Sequence, residues 1–201
     1  MFNKVLIYQR FNEISKKIII PLSIFFKTIR AKSEGIAFVD STSIKVCHNK
    51  RISQHKCFKS IAKRSKTSMN WFYDFKVHLM INHNAEMIDF CFTAGNVHDT
   101  QVIEYVVRDI SRKLYADKGY LSKKLTKILS TSEKNIQLIT NVRKNMKSIA
   151  LSRWDKIMLK KRSIIETVFG RLKTEKCMEH SRHRSIYGLI KNSLGSIISY
   201  N

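Results

Sequence analysis

The stretch Ile36-Ala37-Phe38-Val39-Asp40-Ser41-Thr42-Ser43-Ile44-Lys45-Val46 decides how the chain is read. It is rich in β-branched and apolar residues and has no helical stripe, so it predicts a strand. Asp40 directly follows the four apolar residues Ile36 to Val39. A charged carboxylate in a buried strand costs several kcal/mol unless it has a partner, so this one is a candidate for chemistry.

Downstream, Phe75 to Ile81 alternates Phe75, Val77, Leu79 and Ile81, and Met87 to Phe92 follows the turn residues His83-Asn84. With the opening stretch they predict a three-stranded meander. After Gly95 a helix is expected over about Asp99 to Arg112, with Val102, Ile103, Val106, Val107 and Ile110 turned to the sheet. Leu114-Tyr115-Ala116 then reads as a short strand, Gly119 onward as a helix with Leu121, Leu125, Ile128 and Leu129, and Ile136 to Thr140 as another strand. A last long helix is expected from about Asp155 to Lys173, with Ile157, Ile164, Ile165, Val168 and Leu172 inward. Strands alternating with helices imply a mixed α/β sheet with parallel members. Residues 48–70 read as a basic loop. Upstream, Ile7, Phe11, Ile14 and Ile18, then Leu22, Phe25, Phe26 and Ile29, mark two short amphipathic helices, with Pro21 in the first turn of the second. Ser33-Glu34-Gly35 breaks the pattern, giving an N-terminal helical segment (1–34) and an α/β domain (35–201).

The chain has 201 residues, 43% hydrophobic and 26% charged, which suits one compact domain with short attachments. Its 38 Lys and Arg against 15 Asp and Glu leave a net charge of +23. Self-repulsion on that scale is tolerated where a polyanion neutralises it, so nucleic acid is the first partner expected and an anionic membrane the second. Cys47, Cys57, Cys91 and Cys177 form no CxxC pair, and His48 and His55 beside the first two do not match usual ligand spacings. A reducing cytosol fits. The apolar run Ile18 to Phe26 is broken by Pro21 and is shorter than the roughly 20 residues of a spanning helix. Lys27-Thr28-Ile29-Arg30 offers no signal-peptide cleavage site, and no glycine-lysine pair forms a P-loop.

Two more acids share the setting of Asp40: Asp117 follows Leu114-Tyr115-Ala116, and Glu166 follows Ser163-Ile164-Ile165. Carboxylates meeting from two strands and a helix would suit Mg²⁺, which takes oxygen ligands and leaves room for phosphate and water. Two such ions about 3.5 to 4 Å apart stabilise the attacking and leaving oxygens of a displacement at phosphorus. The same acids could instead be bridged to the abundant cations, as Arg162 and Glu166 are spaced i, i+4. Asp89 is a fourth embedded acid, and Asp99 reads as a helix cap.

With these residues in view, the chain resembles a bacterial insertion-sequence transposase of the DDE class from about Tyr8 to Tyr200. The resemblance rests on Phe38-Val39-Asp40-Ser41-Thr42, Val46-Cys47-His48-Asn49-Lys50-Arg51, Gly95-Asn96-Val97-His98-Asp99, Ala116-Asp117-Lys118-Gly119-Tyr120, Arg143-Lys144-Asn145-Met146-Lys147 and Glu179-His180-Ser181-Arg182-His183-Arg184-Ser185. Together these are most similar to the nine-eight-two group. Arg162, Glu166 and Lys173 are spaced like the signature of the related insertion-sequence-four group, with Leu159 where that signature opens on tyrosine. The resemblance implies a ribonuclease-H-like mixed sheet flanked by helices. It implies Asp40, Asp117 and Glu166 as a catalytic triad binding two Mg²⁺ ions, with Mn²⁺ as a substitute. It also implies Arg162 and Lys173 as holders of DNA phosphates. Members of this group carry a longer N-terminal region similar to a helix-turn-helix, so residues 1–34 are expected to be the remnant of a larger module in a truncated copy. The expected setting is cytoplasmic, at the nucleoid, with DNA ends and target as partners, a homodimer in the DNA complex, and no membrane.

Between Asp40 and Asp74 lie eight cations and no acid: Lys45, Lys50, Arg51, Lys56, Lys59, Lys63, Arg64 and Lys66. With Arg143, Lys144, Arg182 and Arg184 they are candidate phosphate contacts of a sequence-blind kind. Trp71-Phe72-Tyr73 beside them could stack on bases or anchor a loop. His98 and His183 are expected in structural hydrogen bonds. Two other functions fit the same residues: a non-catalytic basic nucleic-acid-binding protein, and a ribonuclease-H-like nuclease acting on RNA or branched DNA.

Overall fold

Ile36–Lys45 forms β1, which pairs antiparallel with β3 (Trp71–Asn82) on one side and parallel with β5 (Lys113–Ala116) on the other. The computed structural model describes residues 7–59, 61–66, 71–107, 110, 112–132, 135–142, 150–179 and 183–201. β5 pairs parallel with β6 (Gln137–Thr140). The outer edge of β3 is shared by β2 (Lys63–Lys66) along its first residues and by β4 (Met87–Ala94) along the rest, both antiparallel. The result is a six-stranded mixed sheet.

Both faces of the sheet are covered, and side-chain alternation along β1 distributes residues between them. Phe38 and Ile44 join one core with Met158 and Leu159 of α5 (Arg153–Lys161), Ile165, Val168, Phe169 and Leu172 of α6 (Ile164–Thr174), and Ile197 of α7 (Ile186–Tyr200). Ala37 and Val39 join a second core with Val102, Ile103 and Val106 of α3 (Asp99–Val106) and Leu125 and Leu129 of α4 (Lys123–Thr131). A third cluster, with Val46, Phe58, Tyr73, Phe75 and Leu189, anchors the segment after β1 against α7. The expected N-terminal helices are α1 (Tyr8–Lys17) and α2 (Ile19–Ile29). α2 contributes Phe26 to the first core, whereas α1 buries no residue and leaves Tyr8 and Phe11 in solvent.

Several elements differ from the sequence expectation. The long helix through Lys173 is two helices, with Arg162 and Ser163 at the joint. There the Ser163, Ile165 and Glu166 amides donate three residues back, to the carbonyls of Lys160, Arg162 and Ser163, tightening the turn to a 3-10 pattern. The basic loop contains β2, whose sequence Lys-Arg-Ser-Lys has no apolar residue and is extended by pairing on β3. α3 ends at Val106, and a 3-10 turn, Lys118–Tyr120, precedes α4. α7 was not expected; Ser185 caps it by accepting the Gly188 amide at 3.1 Å.

Candidate active site

Asp40 shares the β1 face of Phe38 and Ile44 and so points toward the α5–α6 layer. Its Oδ2 accepts Arg162 Nη1 at 2.7 Å, and its Oδ1 accepts the Ser41 amide at 2.8 Å. Asp117 stands directly after β5, at the carboxyl end of a strand parallel to β1, with its Oδ1 3.8 Å from Arg162 Nη2. Glu166, in the first turn of α6, has its Oε1 3.9 Å from the same nitrogen. The structure therefore brings the three acids around one guanidinium, and the joint between α5 and α6 is what sets that guanidinium between them.

Burial separates an inner pair from an outer one. The Arg162 and Asp40 side chains are 15% and 21% exposed, while Asp117 is 53% and Glu166 66% exposed. Burial pushes the Asp40 carboxyl above its ordinary value, the Ser41 amide and Arg162 oppose that, and the nearby Asp117 charge adds to it. Asp40 is thus a carboxylate held in place at an electrostatic cost, whereas the outer two are more than half open to solvent.

Among the described residues, no three Asp, Glu, His or Cys side chains as they lie form a group able to hold a metal ion. The acids face Arg162 instead of a common point. Their chemistry nonetheless fits a hard divalent cation: three carboxylates supply oxygen donors, and the half-exposed pair leaves room for water or phosphate.

The other expected contacts are dispersed. Lys173, two turns beyond Glu166 on α6, has its Nζ 3.7 Å from Glu179 Oε2. Lys50 and Arg51 are exposed in the 3-10 turn Asn49–Arg51. Arg184 is exposed beside that loop, its carbonyl accepting Cys57 Sγ at 2.9 Å. Arg143, Lys144 and Arg182 lie outside the described residues, as do the side chains of Trp71 and Phe72. Leu159 is buried in the first core and, with Lys156, Lys160 and Thr140, lines an open cleft of about 460 Å³. Asp89 on β4 lies 3.9 Å from Arg30 and takes no part in the cluster around Arg162.

Asp99 differs from its expected role. His98 is the cap of α3, its Nδ1 accepting the Thr100 amide at 3.3 Å. Asp99 turns inward, where its Oδ1 accepts Ser41 Oγ at 3.0 Å and Lys76 Nζ at 3.1 Å. The sequence signal for this was Lys76 and His78 at alternate positions within the otherwise apolar run Phe75 to Ile81, both on the side of Asp99.

Residues 30–186 match the transposase DDE domain family. The chain belongs to that family. Among solved structures it is similar to the piggyBac transposase of a synaptic complex with hairpin DNA, at 12% identity and a TM-score of 0.54, over 84% of this chain and 48% of that one. It is also similar to a chain of the simian T-cell lymphotropic virus intasome with the PP2A regulatory subunit B56 gamma, at 11% identity and a TM-score of 0.48, over 82% and 49%. The transposase domain thus spans about half the length of these structures. None of the curated proteins matches it. The mixed sheet with helices on both faces is a ribonuclease-H-like fold.

Proposed function

We propose that this transposase domain cleaves one DNA strand at the end of an insertion sequence of the nine-eight-two kind and joins the freed end to target DNA. The observation that carries the reading is the convergence of Asp40, Asp117 and Glu166 within 3.9 Å of one guanidinium, on a fold shared with a transposase core. Asp40, Asp117 and Glu166 would hold Mg²⁺, or Mn²⁺ in its place, and the ion would supply neutralisation of the charge that develops on the phosphate. Arg162, at the joint between α5 and α6, and Lys173, about three turns further along, would meet non-bridging oxygens of separate phosphates. Water adds to phosphorus and the bond to O3′ breaks, leaving a 3′-hydroxyl. That oxygen then displaces a bridging oxygen of the target strand, with no covalent protein intermediate.

The net charge of +23, with Lys50, Arg51 and Arg184 exposed on one flank, supports DNA as the partner. Two copies acting on two element ends, in the cytoplasm at the nucleoid, complete the reading. The test is nicking of a labelled element-end duplex in Mg²⁺ or Mn²⁺, with Glu166→Ala as control and an RNA–DNA hybrid as the competing substrate. Cleavage of the element end by wild type alone supports the proposal. Equal cleavage by the variant removes Glu166 from the mechanism, preferential cleavage of the hybrid favours a ribonuclease, and salt-sensitive binding without cleavage favours a non-catalytic protein.

A further inference from the structure

Asp40 and Ser41 point to opposite faces of β1, so whatever holds Ser41 also fixes the strand from behind Asp40. What holds it is Asp99, the first residue of α3, through the 3.0 Å bond from Ser41 Oγ. The same Oδ1 takes Lys76 Nζ at 3.1 Å, and Lys76 also donates to the Val97 carbonyl at 3.0 Å, tying β3 to the segment entering α3. His78, buried on β3 and paired in register with Ser41, sets its Nδ1 3.9 Å from Asp99 Oδ1 while its Nε2 meets Thr93 Oγ1 at 2.9 Å. That His78 Nδ1 has no hydrogen-bond partner among the described residues and closes the pocket around the carboxylate.

The second oxygen faces the other acid-bearing segment. A Cβ at Gly119 would lie 3.7 Å from Asp99 Oδ2, so the turn that follows Asp117 rests against this carboxylate. Tyr120, in the same turn, is fully buried in the core beneath α3. One side chain therefore bonds to the residue after Asp40 and lies beside the residue two after Asp117, from the side of the sheet away from Arg162.

We infer that Asp99 is a positioning residue that fixes the β1 and β5 ends relative to each other, so that Asp40 and Asp117 present their carboxylates to one cation. The inference rests on the proposed function only in taking that cation as divalent. Outer carboxylates that orient metal ligands are worth about 10- to 100-fold in metal affinity.

The experiment is Mn²⁺ binding to the full chain, followed by electron paramagnetic resonance, with thermal unfolding measured in parallel. Asp99→Ala is expected to weaken Mn²⁺ about tenfold or more. Asp99→Asn, which keeps an oxygen for Ser41, is expected to recover part of the loss. Asp155→Asn breaks a comparable acid–lysine pair elsewhere; it is expected to lower stability at least as far and leave Mn²⁺ affinity unchanged among folded molecules. Were Asp99→Ala not to fold, Ser41→Ala, which removes only the link, carries the same expectation of weaker binding. Wild-type affinity in Asp99→Ala, or an equal loss in Asp155→Asn, overturns the inference. Absence of Mn²⁺ binding by wild type, or binding indifferent to Asp117→Asn, overturns the metal reading itself and the inference with it.

Discussion

Helix α5 carries an acid near its start and an arginine just past its end, and the two sites handle charge in opposite ways. Asp155 is buried and fully matched: its Oδ1 accepts Lys113 Nζ and the Tyr115 hydroxyl, each at 2.8 Å, and its Oδ2 accepts Ser152 Oγ at 2.6 Å. Burial alone would raise this carboxyl, but the three donors outweigh it and hold the group at about 2. At the other end, Arg162 faces three acids with one positive charge, and Asp40 is pushed up rather than down. The first site is built to be satisfied and ties α5 to β5. The second is left short of positive charge, the condition in which an external cation or a phosphate-borne ion gains most by arriving.

The widest separation should come from chemistry. Asp117→Asn and Glu166→Ala should each lower strand cleavage on the order of 10³-fold. Both side chains are more than half exposed, so the unfolding midpoint of either variant should stay close to wild type. A large stability loss in either would erase the contrast with Asp155.

Asp155→Ala should do the reverse, costing about 3–5 kcal/mol in denaturant unfolding because Lys113 is left without its partner in a largely buried site. Any molecules still folded should cleave at the wild-type rate.

Acid titration sharpens the same contrast. Because the folded pKa of Asp155 lies below the unfolded value, its contribution is present above the unfolded pKa and lost as pH falls through about 2. About 2 kcal/mol should disappear progressively between about pH 5 and about pH 1, and Asp155→Asn should flatten that part of the unfolding profile.

The smallest effect on stability is expected at Asp40. Asp40→Asn keeps an oxygen for Arg162 and removes a charge that burial and Asp117 disfavour, so stability should change by less than about 1 kcal/mol, in the stabilising direction, while cleavage is lost. Marked destabilisation, read from the urea midpoint, would make Asp40 a second structural acid.

How far these sites were legible in sequence follows from what signals each one. Asp40, Asp117 and Glu166 announce themselves because each ends an apolar string, although the burial that this pattern suggests is met only at Asp40, the other two being more than half exposed. Asp155 carries no such anomaly: Ser152 three residues before it is an ordinary helix-start pattern, and its partners Lys113 and Tyr115 come from a distant strand. Asp99 looks like a cap for the same reason, and only tertiary structure shows that His98 caps and Asp99 turns inward. β2 escaped because four polar residues extend only by pairing on the β3 edge. The joint at Arg162 escaped because no glycine or proline marks it and the apolar periodicity runs on from Met158 to Ile165.

That unmarked joint sets the rotational phase between two helices. Residues in a helix are about 100° and 1.5 Å apart, so inserting or deleting a single residue at Ser163 would swing Glu166 to another azimuth around α6. Asp155 and the whole of α5 would keep their anchorage. A one-residue change in length should therefore be tolerated least across the one turn that joins α5 to α6.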